Sequence, residues 1–339
     1  MIGKGFMVWV GAMAIVAGGG AELQAENLLA PWRMKDGNMS VAAHGFGSAA
    51  VGGLIYAVGG QAPGPYGNKV VQEYDPATDT WRRVSDMPTA RHSLDCAAVD
   101  GYVYAIGGHV GNSRAENERY DPQTDTWESM ASKPTAVSGP GVAAFGGMIY
   151  TFGGNHSSSM QSVIEAYDPT TDTWQSVGNM PEAGEPWDAA VLGDRIYLAG
   201  GGGFASEGAG ASDHLWAYDP ADGTWDTTLP KLNVARSGMA LVAFESSLYA
   251  IGGWGAAGEL ASVERWSPGD PSWTFDESLN IPRAQLGAEV VGDWIYAFGG
   301  TSSGVNLSSV EAAPEPATLS VLALGGLGLL ARRKRRALR

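Results

Sequence analysis

Short apolar runs that end in a pair of glycines recur six times along the chain. They read LIYAVGG, YVYAIGG, MIYTFGG, RIYLAGG, SLYAIGG and WIYAFGG, with the glycine pairs at 59–60, 107–108, 153–154, 200–201, 252–253 and 299–300. Runs this short, rich in Ile, Val, Tyr and Phe, predict β-strands rather than helices. In the first repeat the pattern predicts two strands, near 46–51 and 54–58, joined by a tight turn at Gly52-Gly53. A third strand ends at Tyr74. The segment Asp75-Pro76-Ala77-Thr78-Asp79-Thr80 is turn chemistry, because Pro fixes φ and Asp and Thr bond nearby backbone. A fourth strand then carries Trp81. Each repeat is therefore predicted to be a four-stranded antiparallel sheet. The paired glycines supply positive φ and close backbone approach where the strands converge.

The glycine pairs are spaced 48, 46, 47, 52 and 47 residues apart. Downstream of each lies an aromatic turn opener: Tyr74-Asp75-Pro76, Tyr120-Asp121-Pro122, Tyr167-Asp168-Pro169, Tyr218-Asp219-Pro220 and Trp266-Ser267-Pro268. A tryptophan follows seven residues later in every case: Trp81, Trp127, Trp174, Trp225 and Trp273. A fixed period near 47 signals a propeller or an array. This pattern of Gly-Gly, Tyr-Asp-Pro and Trp resembles kelch repeats over about 280 residues. The resemblance implies an all-β, six-bladed β-propeller with one repeat per blade. The sixth repeat lacks its own Tyr-Asp-Pro and Trp, whereas Trp32 stands alone ahead of the first. Residues around 31–35 are thus expected to supply the fourth strand of the sixth blade, closing the ring without a free edge.

The two ends read as addresses. Residues 1–25 have the form of a secretory signal: Lys4, an apolar stretch from Phe6 to Ala17, and small residues that permit cleavage after Ala21 or Ala25. The apolar run is short for a retained membrane anchor. At the other end, Pro314-Glu315-Pro316 precedes an apolar run from Leu319 to Leu330 and the basic cluster Arg332, Arg333, Lys334, Arg335, Arg336. Fourteen residues, Thr318 to Ala331, make about 21 Å of helix against a bilayer core of about 30 Å. Hydropathy alone would describe a C-terminal tail anchor, with its basic flank cytoplasmic. The order of these features resembles the PEP-CTERM sorting signal. That resemblance implies an exosortase as processing partner, cleavage near Pro-Glu-Pro, and delivery to the surface or exopolysaccharide matrix of a Gram-negative-type bacterium. The chain thus divides into a signal peptide (1–25), a propeller (26–313) and a sorting tail (314–339).

Composition sharpens the picture. Charged residues make up 17 % of 339 and the formal net charge is −15. Between the two addresses, 26–313 holds 14 Lys and Arg against 34 Asp and Glu, near −20. Such a surface stays soluble and repels nucleic acid, whose phosphates need a basic face. The single cysteine, Cys96, excludes an intramolecular disulfide framework and reads as a small buried residue. No cofactor or metal is called for by the sequence, and the chain is read as a monomer. His109 and His156 occupy similar loops in adjacent blades, with solvated loop histidines the default reading. Gly253-Trp254-Gly255-Ala256-Ala257-Gly258 matches a dinucleotide fingerprint literally, but no helix pattern follows it.

Binding residues are expected on the face that carries the loops between the second and third strands and the loops between blades. The longest loop, 201–213, carries Phe204, Glu207 and Asp213; another carries Trp254. The inter-blade loops are read as ending at an aligned position held by His44, Arg91, Val137, Trp187, Arg236 and Arg283. Arg236, Arg283, His44 and Arg91 would then form a basic arc at the channel mouth, with Trp187 opposite as an aromatic platform for a carboxylated or hydroxyl-rich sugar. The competing structural reading has these arginines bonding loop carbonyls. The resulting function is a noncatalytic secreted or matrix-associated binding protein for a protein or carbohydrate ligand. The alternative is a sugar mutarotase, since secreted six-bladed kelch propellers resemble the N-acetylneuraminate epimerase of bacterial periplasms. Mutarotation needs an acid–base pair and a charge clamp, for which Glu207 with Arg236 or Arg283 are the candidates. A copper oxidase resembling galactose oxidase is disfavoured, because that family uses seven blades and a Cys–Tyr crosslink.

Overall fold

The computed structural model describes residues 31–62, 67–186, 188–203 and 210–314. Six four-stranded antiparallel sheets form the six blades of a propeller. Blade one consists of Gly47–Val51, Leu54–Val58, Val71–Asp75 and Thr80–Val84. The following blades repeat that order, their innermost strands being Asp95–Val99, Gly141–Phe145, Ala190–Leu192, Ala240–Phe244 and Gly287–Val291. The first two strands of blade one lie within a residue of the predicted 46–51 and 54–58. Residues 1–30, which include the stretch read as a secretory signal, the loop residues 63–66, Trp187, Phe204, Glu207 and the tail from Glu315 onward lie outside the described residues.

Blade six is built from both ends of the propeller. Its third strand, Val310–Pro314, pairs on one side with Trp294–Phe298 and on the other with the two-residue strand Arg33–Met34. Arg33 faces Ala312 and Met34 faces Glu311. Trp32, just before this closing strand, is 4 % exposed and donates its indole N–H to the carbonyl of Glu277 at 2.9 Å. The ring closes as the lone early tryptophan indicates. The third strand of blade six includes Pro314, so the first residue of the tail segment belongs to the sheet.

Six apolar clusters fill the six seams between blades. Tyr74, Tyr296 and Phe298 pack blade one on blade six; Tyr56 and Tyr120 join blades one and two; Tyr104 and Tyr167 join two and three. Each such ring removes on the order of 150–250 Å² from water. Asp79, Asp125 and Asp172, at φ of 54°, 54° and 52°, accept bonds from Tyr74, Tyr120 and Tyr167 within their own blades. They also accept backbone N–H groups across a seam, from Gly37, Ser85 and Ala131 respectively. The repeated turn chemistry therefore ties neighbouring blades together as well as reversing the chain. The glycine pairs earn their place by crowding: at Gly59, φ is 69°, and a Cβ would stand 2.7 Å from the carbonyl oxygen of Arg91.

Candidate functional site

The mouth of the propeller is set by one short bridge per blade, where the inter-blade loop pairs with the residue just after the glycine pair. These bridges are His44 with Gln61, His92 with His109, Ser138 with Asn155, Glu185 with Gly202, Ser237 with Trp254 and Ala284 with Thr301. One residue further along, five positions adopt positive φ: Gly45, Ser93, Gly139, Gly238 and Gln285. Their backbones form a belt, with Gln285 N–H donating to Gly238, Gly45 to Gln285, Ser93 to Gly45 and Gly139 to Ser93. The sixth position is Pro186, which has no N–H to give to Gly139. The belt therefore opens at blade four.

The expected basic arc is not there. Arg91, Arg236 and Arg283 are fully buried. Their guanidinium groups turn away from the mouth, into the blades, where they meet Glu118, Glu264 and Glu311 on the third strands. The Arg236–Glu264 and Arg283–Glu311 contacts are 2.5 and 2.7 Å. The same arginines also donate to carbonyls, Arg91 to Gly107 and Arg236 to Gly252, each at a glycine pair. The aligned set is Ala43, Arg91, Val137, Gly184, Arg236 and Arg283, because these carbonyls all accept from the second glycine of a pair. His44 sits one residue past this position, and Trp187 lies three past it. Alternation along an extended segment sends neighbouring residues to opposite sides. That puts His44 on the mouth and the arginines inside. Arg236 and Arg283 thus serve as internal clamps and cannot act as a catalytic charge clamp at the face.

Blade three replaces the arginine by Val137, and Lys133 takes over, buried against Glu165. Blade one uses Gln72, which binds Ser40 and Val41. Blade four departs further, with Gly184 at the arginine position and Trp216 at the carboxylate position, stacked on His214 with ring centroids 4.6 Å apart. The blade that lacks the clamp and breaks the belt also carries the longest face loop. Its mouth residue Glu185 is half-buried, and desolvation alone raises its carboxyl to about 7. Across the mouth, His92 and His109 lie 5.3 Å apart, centroid to centroid, and His44 bonds Asn306 at 2.8 Å. Burial and the neighbouring His109 and His44 hold His92 below the usual histidine value. His109 therefore faces His92, whereas His156 bonds the carbonyl of Ala136. Trp254 is half-buried at its bridge, and the surrounding Gly253 to Gly258 stretch forms a small hairpin. Cys96 is buried in the seam between blades one and two.

Below the mouth, the innermost strands enclose a channel cavity of about 310 Å³. Three carboxyls line it: Asp95, Asp188 and Glu289. Asp95 accepts from the N–H of Val142 in blade three, and Asp188 from that of Leu241 in blade five. Glu289 accepts from the Ser48 hydroxyl of blade one at 2.7 Å. Every second seam is thus bridged by an acid. Desolvation raises Asp188 to about 7, and desolvation together with the neighbouring Asp188 carboxylate raises Glu289 to about 8 and Asp95 well above the carboxylate range. In the fold these groups hold protons that an unfolded chain releases. Their stabilising contribution is complete below about pH 4 and fades as pH rises towards about 8. Glu289→Gln is expected to flatten the fall in melting temperature between pH 5 and pH 8. Parallel pH profiles for the two proteins would contradict this.

The Kelch motif matches residues 42–88, 90–134, 136–181 and 235–280. The chain belongs to the kelch-repeat family. The four matched stretches are blades one, two, three and five. Blade four, where the clamp and the belt fail, is not among them, and blade six is split between the ends of the propeller. The PEP-CTERM protein-sorting motif matches residues 312–336. The chain is 36 % identical over 94 residues, 27 % of its length, to an F-box/kelch-repeat protein of Arabidopsis thaliana, of which this covers 25 %. It is 34 % identical over 94 residues to alpha-scruin of Limulus polyphemus, covering 27 % of this chain and 10 % of scruin. The chain therefore spans a quarter or less of the curated relatives it matches. Among solved structures it is similar to YjhT, with a TM-score of 0.68 and 19 % identity over 80 % of this chain and 95 % of that one. That likeness is one of fold.

Proposed function

We propose that this kelch propeller is an exported binding protein, held at the cell surface or in the extracellular matrix, that takes a hydroxyl-rich ligand at its mouth. Both the kelch motifs and the PEP-CTERM motif support the exported binding role. The observation that carries the ligand class is the rim itself. His44, Gln61, His92, His109, Asn155 and Trp254 all stand at the backbone bridges that ring one end of the propeller. They offer hydrogen-bond donors and acceptors beside an aromatic face, the chemistry that recognises sugar hydroxyls and ring C–H edges. An acidic body repels polyanions, so a neutral glycan fits better than a strongly acidic one. Glycan-array binding of the secreted protein tests this. His44→Ala and Trp254→Ala are each expected to weaken binding at least tenfold, about 1.4 kcal/mol. Binding to no glycan, or binding indifferent to both changes, would overturn the proposal.

A second reading is a sugar mutarotase, and Glu185 favours it. A carboxyl that titrates near 7 at the mouth is poised for proton transfer at neutral pH. It takes the place of the pairing of Glu207 with Arg236 or Arg283, since both arginines are committed to internal ion pairs. Polarimetry of N-acetylneuraminate anomer exchange decides. Acceleration lost in Glu185→Gln supports the reading, and an uncatalysed rate with the native protein removes it.

A further inference from the structure

The end of the propeller opposite the mouth carries a groove between blades four and five. It lies among the turns that join first and second strands, at Gly193-Asp194 and Glu245-Ser246. Blades one to three tie their seams at this end with one aspartate each, Asp79, Asp125 and Asp172, five residues after the turn-opening tyrosine. In blade five that position is Pro271, whose side chain accepts no hydrogen bond. The residue set to meet it from blade four is Leu229, four after Trp225, just as Ser85 follows Trp81 and Ala131 follows Trp127. Without the tie, the seam opens as a groove of about 660 Å³. Its walls are apolar. Tyr197 and Trp266 are nearly buried at its base, with ring centroids 5.9 Å apart, and Leu192 and Leu229 stand half-buried beside them. Its rim is acidic. Asp194 and Glu245 are exposed at the two turns, and neither forms an ion pair among the described residues. Arg195, the cation among the lining residues, faces Asp226 at 3.8 Å.

We propose that this groove docks a basic segment of a partner protein: an apolar side chain enters beside Leu229 and Trp266, and flanking Lys or Arg residues meet Asp194 and Glu245. Burying the apolar side chain against Leu192, Leu229 and the two rings supplies the affinity. Exposed carboxylates add little strength of their own, but they select the sign of the partner and speed its approach. With Arg195 neutralised by Asp226, the rim carries two uncompensated negative charges. The propeller body, near −20, favours a partner of the same positive sign. The groove and the mouth lie at opposite ends of the blades, so a ligand at the mouth and a partner here do not compete.

Calorimetric titration of the full-length protein with the peptide KKLLKK tests this. The native protein is expected to bind it, and to bind KKSSKK and EELLEE at least about tenfold more weakly. Pro271→Asp supplies the missing acceptor for the Leu229 N–H and closes the seam. Asp194→Lys reverses the rim charge at an exposed turn, where the fold tolerates it. Each is expected to weaken KKLLKK binding at least about tenfold without lowering the melting temperature. No binding of KKLLKK overturns the proposal. Equal binding of KKSSKK reduces the contact to general attraction by an acidic body, and equal binding of EELLEE denies the rim its role. Affinity unchanged in Pro271→Asp puts the peptide elsewhere. Native dimers that Pro271→Asp dissociates, seen by light scattering, give the groove to a second copy of this chain. Each of these results likewise overturns the proposal.

Discussion

Glu264→Ala is expected to destabilise the propeller by about 3–5 kcal/mol, because it strands a charge in the interior. Arg236 is fully buried, and Glu264 is its counter-charge at 2.5 Å. The same carboxylate accepts the backbone N–H groups of Asn233 and Val234. Truncation leaves a buried guanidinium with carbonyl partners but no counter-charge, and two backbone donors without their acceptor. The surface pair of Arg83 with Asp86 supplies the contrast. Arg83→Ala is expected to cost under about 1 kcal/mol, as solvated pairs do. Urea unfolding of both variants measures the difference. Equal midpoints would contradict an internal role for the clamp.

Trp32→Ala is expected to cost about 3–5 kcal/mol, the range for emptying a large aromatic site. Trp32 packs in the seam of blades five and six with Leu279, Leu286, Ile295 and Ala313. Its carbonyl accepts from Asn280, which also donates to Glu311. Losing the indole therefore disturbs the closing strand and the last clamp together. A melting temperature within a degree or two of the native value would contradict this.

The wheel was readable because its signals are local and repeated. Glycine pairs, Tyr-Asp-Pro turns and tryptophans count the blades, and the lone Trp32 shows where the ring joins. The mouth was harder, because a slip of one residue on an extended segment exchanges inside for outside. Counting back 16 residues from the first glycine of each pair gives Ala43, Arg91, Val137, Gly184, Arg236 and Arg283. The same count, compared with the acidic residues on the third strands, is the signal that would have found the clamps. Counting back twelve gives Gly47, Asp95, Gly141, Asp188, Ala240 and Gly287, which reveals two of the three channel acids. Glu289 gives no such mark, because only the curvature of the ring brings it to the others. Blade four shows its departures only when Gly184, Pro186 and Trp216 are set against the other repeats.

Hydrogen exchange of the third strand of blade six tests ring closure most directly. In the native protein the amides of Val310 to Ala313 are held between Trp294–Phe298 and Arg33–Met34, and they are expected to exchange among the slowest in the molecule. In a chain lacking residues 31–36 they should exchange with the fast, exposed amides, and unfolding should begin at that blade. Unchanged protection in the shortened chain would show that the N-terminal strand does not close the wheel.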